Sequence, residues 1–273
     1  MSYYEEYNKK EKETLYSKIV RIYKKEGLSS TIRGVTRFVT RFTGRRVCRN
    51  YMTPTLYEIS STVTASFTDV NGLISELLAL NDEKISELQR EYSQILEIIN
   101  DRQNKTHLSY PKDSAVSEDS GFLIFSIVRI RRPEIFLETG VANGFSSSLI
   151  LYAMHLNGNG KLISFEVSDD VGSLIPTYLR NRWVLRILKK PFRSNFLKEL
   201  NSLSVDIFLH DSDHSFKWQS FEYNSVEDHL REGGMMLSDD IDSSYAFLNF
   251  IKNKKIRSYS LIGVRKVFGI VEF

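Results

Sequence analysis

Nine residues, Glu138-Thr139-Gly140-Val141-Ala142-Asn143-Gly144-Phe145-Ser146, follow directly on the short apolar run Ile135-Phe136-Leu137. A run of that kind reads as a buried strand, and residues 145–155 after it suit a helix. Glycines at a strand-to-helix junction permit a tight turn and close approach of a ligand to the backbone. The helix start adds free N–H groups. Taken alone, a G-x-x-x-G turn says little. Its weight comes from Glu166, which ends a second strand pattern, Lys161-Leu162-Ile163-Ser164-Phe165. A carboxylate there can accept both hydroxyls of a ribose, so the pair points to a nucleoside-bearing cofactor. No third glycine completes G-x-G-x-x-G, which speaks against a dinucleotide.

Two acidic clusters follow. Leu209-His210-Asp211-Ser212-Asp213-His214-Ser215 ends the strand pattern Val205–Leu209, and Ser238-Asp239-Asp240 ends the pattern Gly234–Leu237. Carboxyl ends of parallel strands converge on one rim, so both clusters should face one crevice. Carboxylates crowded there repel one another unless a cation joins them, and a hard divalent ion with oxygen ligands is the economical solution. Helix capping and turn formation offer a structural alternative for Asp239 and Asp240. By strand alternation His210 points away from Asp211, which suits a packed histidine.

Across about 115–273 these motifs resemble a class I S-adenosylmethionine-dependent methyltransferase. More narrowly, the chain is similar to the metal-dependent sugar O-methyltransferases of the macrocin O-methyltransferase-like and cephalosporin hydroxylase-like group. Catechol O-methyltransferase is a more distant relative. The family often has D-G-D-H-S-Y where this chain has Ser212 and Phe216 within Asp211–Phe216. The resemblance implies a Rossmann-like α/β fold: a doubly wound, mostly parallel seven-stranded sheet with an antiparallel last strand. It implies S-adenosylmethionine held by Glu138, Gly140, Gly144, Ser146, Glu166 and Asp211. It further implies Mg2+, or another divalent cation, on Asp211, Asp239 and Asp240. The expected chemistry is methyl transfer to a hydroxyl of a sugar, glycan or related small molecule. His214, three residues after a metal ligand and titrating near neutrality, is the first candidate for general base, and Asp213 the second. A structural role for His214 stays open. Trp218, Tyr245 and Phe247 could shape the acceptor pocket. The alternatives are a nucleotide-sugar or NAD-linked enzyme on a similar sheet, and a non-catalytic cofactor-binding module.

The elements that must position these residues alternate between helix and strand periods from Ser117 onward, which argues for parallel strands with crossover helices. Ser117 can cap a helix carrying Phe122, Leu123, Phe125, Ile127 and Val128. Further helices are expected near 170–181 and 217–231, and a strand at Val184–Leu188. The end departs from this alternation: 258–261 and 267–273 read as two strands without an intervening helix, able to pair antiparallel at a sheet edge. Upstream, Ile85, Leu88, Tyr92, Ile95 and Ile99 form one stripe of a helix from Asn81 or Asp82 to about Asn100. That stripe could pack on its own domain or form a homo-oligomer seam through 81–100. Polar residues 101–114 with Pro111 suggest a connection. The expected organisation is a basic, mainly helical region 1–110 and a catalytic domain 111–273.

Composition bounds the rest. The 273 residues are 41% hydrophobic and 26% charged, ordinary for a globular protein. The net charge of +3 hides an asymmetry: residues 1–50 carry 13 Lys and Arg against 5 Glu, leaving 24 basic and 29 acidic residues in the remainder. Helices are expected at 11–26 and about 31–43, the second with Arg33, Arg37 and Arg41 four apart. Such a stripe could dock residues 31–49 on an anionic membrane surface or stand as a solvated basic face. Nucleic acid is not an expected partner, because the body is acidic and no binding motif accompanies the basic patch. Cys48, the single cysteine, excludes an internal disulfide and reads as an inert thiol. No apolar run approaches a membrane span and no secretory signal opens the chain, so a cytoplasmic, possibly membrane-peripheral location is expected.

Overall fold

The computed structural model describes residues 53–111, 115–252, 254–264 and 266–273. The expected helices at 11–26 and 31–43, with the arginine stripe and Cys48, lie outside the described residues. Residues 59–273 form one compact unit.

In chain order the elements are helix α1 (Leu56–Thr62), strand β1 (Ala65–Phe67), α2 (Val70–Leu78), α3 (Asp82–Lys105), α4 (Glu118–Arg131), β2 (Ile135–Thr139) and α5 (Phe145–Asn157). They continue with β3 (Lys161–Glu166), β4 (Trp183–Ile187), α6 (Phe192–Leu200), β5 (Val205–His210), α7 (Phe216–Glu227), β6 (Leu230–Ser238), α8 (Ala246–Ile251), β7 (Arg257–Ile262) and β8 (Val267–Glu272). The strands make one sheet in the order β1-β7-β8-β6-β5-β2-β3-β4. Strands β4, β3, β2, β5 and β6 pair parallel in succession. Strand β8 runs antiparallel between β6 and β7. The fold is the expected Rossmann-like one with an antiparallel last strand, but the sheet has eight strands rather than seven. The extra strand, β1, pairs parallel with β7 over Ala65–Phe67, a run too short to show a period in sequence.

Strand β2 lies at the centre, with β3 on one side and β5 on the other. Successive crossovers leave this point in opposite directions, so a crevice opens at the carboxyl ends of these three strands. Both faces of such a sheet must be covered by helices, and α4 and α5 answer that demand: every residue from Ser120 to Val128 and from Ser146 to Met154 is buried. The Ser117 hydroxyl accepts the Ser120 N–H at its start, as the sequence suggested.

Helix α3 forms where expected and runs five residues further. Asn81 caps it by accepting the Lys84 N–H at 3.0 Å, and Asp82 and Glu83 favour the positive end of the helix dipole. Its stripe, Ile85, Leu88, Tyr92, Ile95 and Ile99, is buried in the same core as Phe136, Leu162 and Ile207 of the sheet. The Tyr92 hydroxyl donates to the Glu118 carbonyl at 3.0 Å, and Arg129 holds both carboxylate oxygens of Glu91 at 2.7 and 3.0 Å. The stripe is therefore covered by the chain itself, and the division expected between 110 and 111 falls inside the compact unit.

The helix expected near 170–181 does not form. Gly172 and Pro176 break it, and only Thr177–Arg182 makes a 3-10 turn. The backbone of this segment is bonded instead to the glycine turn: Gly172 N–H donates to the Ala142 carbonyl and Leu174 N–H to the Asn143 carbonyl, both at 2.9 Å. Helices α6 and α8 were not anticipated.

If α3 belongs to the sheet's cooperative unit, Ile99→Ala should lower the stability of the whole unit by about 2–4 kcal/mol, since Ile99 is fully buried. Thermal denaturation followed by near- and far-ultraviolet circular dichroism should show a single shifted transition. A separate early transition that leaves the sheet signal in place would show that α3 folds apart from it.

Candidate active site

The crevice is a cleft of about 570 Å³. Among the sequence-predicted residues, Gly140, Ser146, Glu166, Asp211, Asp213, His214 and Asp240 line it. Gly144, Glu138 and Asp239 do not line it.

The turn after β2 needs its glycines for steric reasons. Gly140 has φ +82°, and a Cβ there would lie 2.1 Å from the Asp211 carbonyl oxygen. Gly144 has φ +85°, and its Cβ would meet the Gly172 backbone at 2.9 Å. Only glycine tolerates both the backbone conformation and the crowding. Helix α5 starts at Gly144 with no side-chain cap, so its first N–H groups are left for a ligand in the cleft. Glu166 is fixed at the end of β3: its Oε2 accepts the Val141 N–H at 3.0 Å and its Oε1 the Val167 N–H at 2.7 Å. Each oxygen keeps a second lone pair for a ligand hydroxyl.

Glu138 is fully buried under this floor and not in the cleft. Its Oε1 accepts from Ser147 at 2.6 Å and from Ser164 at 2.5 Å. Burial pushes its carboxyl up to about 7, against the lowering effect of the two serine hydrogen bonds, with the charge of Glu166 adding to the rise.

At the acidic rim, β5 and β6 bring Asp211, His214, Asp239 and Asp240 together. Ligand atoms of Asp211, His214 and Asp239 lie within 4.8 Å of one another. His214 Nε2 stands 3.9 Å from Asp211 Oδ1 and 3.8 Å from Asp240 Oδ2. Burial, followed by the charge of Asp239, raises the Asp211 carboxyl well above the usual carboxylate range. Asp239 is fully buried and pushed up to about 6 by burial and by Asp240. Its Oδ1 has no hydrogen-bond partner among the described residues. A buried carboxylate oxygen left unpaired beside two more acids fits a hard cation. Asp213 is exposed at the mouth, where its Oδ1 accepts the Ser215 N–H at 2.9 Å.

Two residues absent from the sequence reading belong here. Lys266, in the turn before β8, reaches the rim and places Nζ 2.5 Å from Asp239 Oδ2. Burial disfavours its charge, but Asp239, Asp240 and Asp211 outweigh burial and hold its pKa above the usual lysine range. Glu222 of α7 is buried and gathers four groups. Oε2 accepts from Thr139 at 2.6 Å and lies 2.5 Å from His210 Nδ1; Oε1 accepts from Ser212 at 3.0 Å and from Trp218 at 2.5 Å. His210 is thus a packed histidine, as alternation implied. Trp218 lines the cleft, whereas Phe247 is buried in the core and Tyr245 lies away from the cleft wall.

The other wall comes from upstream of the expected boundary. Asn143 and Tyr110 exchange two hydrogen bonds, side chain to backbone, at 3.1 and 2.8 Å. Arg102 of α3 donates from Nε to the Leu174 carbonyl at 2.9 Å, tying down the segment that backs the glycine turn.

The raised Glu138 carboxyl carries a sign for stability. A carboxyl that titrates near 7 when folded and near 4.5 when unfolded contributes most below pH 4.5, and that contribution is lost as pH rises through 7. Glu138→Gln should be close to neutral at pH 4.5 and stabilising by roughly 3 kcal/mol at pH 8. Urea denaturation at the two pH values measures this; a difference independent of pH would refute it.

Residues 137–241 match the family model described as "Methyltransferase domain". Among solved structures, cofactor-bound Rv0187 from MTB is 15% identical, with a TM-score of 0.51, covering 75% of this chain and 96% of that one. SAH-bound PaMTH1 of Podospora anserina is also 15% identical, with a TM-score of 0.50, covering 71% and 97%. At these identities the likeness establishes the fold. No curated protein matches the chain. The strand order and the glycine turn followed by an acid one strand later agree with that match: residues 137–241, which hold both acidic clusters, match a methyltransferase domain and lie in a sheet of the Rossmann-like methyltransferase fold.

Proposed function

We propose that the domain methylates a hydroxyl of a sugar, glycan or related small molecule, with His214 as general base and with a divalent cation held by Asp211, Asp239 and Asp240. The observation that carries this reading is the position of His214: its Nε2 faces Asp211 and Asp240 on the rim of the same cleft that Glu166 and the α5 N-terminus enter.

In this reading Glu166 accepts the ribose hydroxyls, while the turn Gly140–Ser146 gives the rest of the cofactor room against the backbone. S-adenosylmethionine supplies an activated methyl carbon, and the cation supplies positive charge that favours the ionised form of a nearby hydroxyl. The chain's own residues orient the acceptor and move its proton. His214 Nε2 would take the hydroxyl proton as the methyl group passes from the sulfonium sulfur to the acceptor oxygen, the methyl–sulfur bond breaking to leave the neutral thioether, and Asp211 and Asp240 would favour the imidazolium that results. Asp213 stands at the mouth as the second candidate for that proton. Helix α7 begins at Phe216, directly after this loop, and Glu222 ties Trp218 in its first turn to Ser212 in the loop. A polar mouth with Asp213, Ser212 and Lys266 beside the indole of Trp218 suits a polyhydroxylated ring: carboxylates accept its hydroxyls and the aromatic face covers its C–H side.

Calorimetry should show S-adenosylhomocysteine binding with one site per chain and no binding of NAD; the reverse would sink the methyl-transfer reading. His214→Ala should lower kcat by about 10²–10⁴-fold while cofactor affinity stays within about threefold. A lost cofactor affinity at unchanged kcat would instead place His214 in the cofactor site. Transfer of labelled methyl groups to nucleotide sugars or glycan extracts tests the acceptor class, and label found only in other small molecules would overturn it.

A further inference from the structure

An ammonium already stands in the acidic rim. Lys266 follows the turn closed by Gly263 N–H donating to the Lys266 carbonyl at 2.9 Å, and this turn aims its side chain at β6. Nζ donates to Asp239 Oδ2 at 2.5 Å and lies 3.4 Å from the Ala115 carbonyl. The lysine side chain is 20% exposed and Asp239 is not exposed at all, so solvent screens this ion pair weakly. The other oxygen of the same carboxylate, Oδ1, has no hydrogen-bond partner among the described residues, and the carboxylate offers one oxygen within 4.8 Å of ligand atoms of Asp211 and His214.

We infer that Lys266 is the resident counter-cation of the rim and that a divalent cation competes with it for Asp239. This rests on the proposed reading of the rim as a cation site. A dication entering on Oδ1 meets a positive charge fixed on Oδ2 of the same ligand, and the two repel across a largely buried space. While Nζ stays in place, Asp239 can offer only one oxygen. Lys266 therefore sets how tightly the rim takes a divalent cation, and it keeps three crowded carboxylates partly neutralised whether or not a cation is present. The device is a positioning and selectivity role, carried by a residue more than fifty positions from Asp211 in the chain.

The test is a manganese titration of the full chain without cofactor, with free Mn2+ read by electron paramagnetic resonance. Lys266→Gln and Lys266→Met, which remove the charge, should bind Mn2+ about tenfold tighter than the parent, and Lys266→Arg should bind like the parent. Equal or weaker binding by the neutral variants overturns the competition and makes Lys266 a tether that orients Asp239. Crystals of the unmodified protein soaked in excess Mn2+ give a second measurement that needs no variant to fold. An ion on Asp239 with Lys266 Nζ moved away supports the inference; an ion with Nζ still in place, or no ion, overturns it. Affinity for S-adenosylhomocysteine, measured on the same preparations, reports separately on methyl transfer, so loss of that reading would leave the manganese comparison standing.

Discussion

Strands β2 and β5 leave the sheet side by side, and their ends pass so closely that no side chain fits between them. The missing Cβ of Gly140 is what allows the Asp211 backbone to lie against the glycine turn. That single approach turns two distant motifs into one rim. It places the start of α5, the end of β3 and the loop carrying His214 around one volume. A side chain at position 140 would have to push the β5 loop outward, and with it the whole acidic set.

The second constraint is charge in a place with little water. Glu138, Glu222 and Asp239 are buried, and each is answered differently. Glu138 rests on two serine hydroxyls and rises toward neutrality. Glu222 is saturated by four partners drawn from β2, β5, the following loop and its own helix, so it binds the rim's supports to one another. Asp239 is half satisfied, by an ammonium on one oxygen. A partly satisfied buried acid is costly in isolation, and Glu138, whose Oε2 also has no hydrogen-bond partner among the described residues, shares that cost beneath the glycine turn.

The walls of the cleft are borrowed from outside the alternating β/α region. Arg102 of α3 and the backbone of Tyr110 hold the loop and the glycine turn on one side of the cleft. The residues before 111 within the compact unit therefore do two tasks: they cover the sheet through the α3 stripe and they brace the site. Among the described residues no helix is long and apolar enough to cross a membrane.

Much of this was legible in the chain itself, because the signals are local. The period of three and four from Ile85 to Ile99, the Asn81 and Ser117 caps, the strand runs and the order of turn, acid and two acidic clusters all depend on neighbours in sequence. That both acidic clusters share one rim follows from parallel crossovers once those elements are recognised. What only the tertiary structure decided involves partners far apart or too short to show a period. Three residues of β1 become a strand only because β7 offers an open edge. The helix expected near 170–181 is given up because Gly172 and Pro176 interrupt it and carbonyls of the glycine turn accept the Gly172 and Leu174 N–H groups instead. Glu222 read as one more polar residue of a helix, and Lys266 as one more cation in a turn. Their roles appear only where folding brings them to His210 and Asp239, because a buried charge takes its meaning from whatever the fold packs against it.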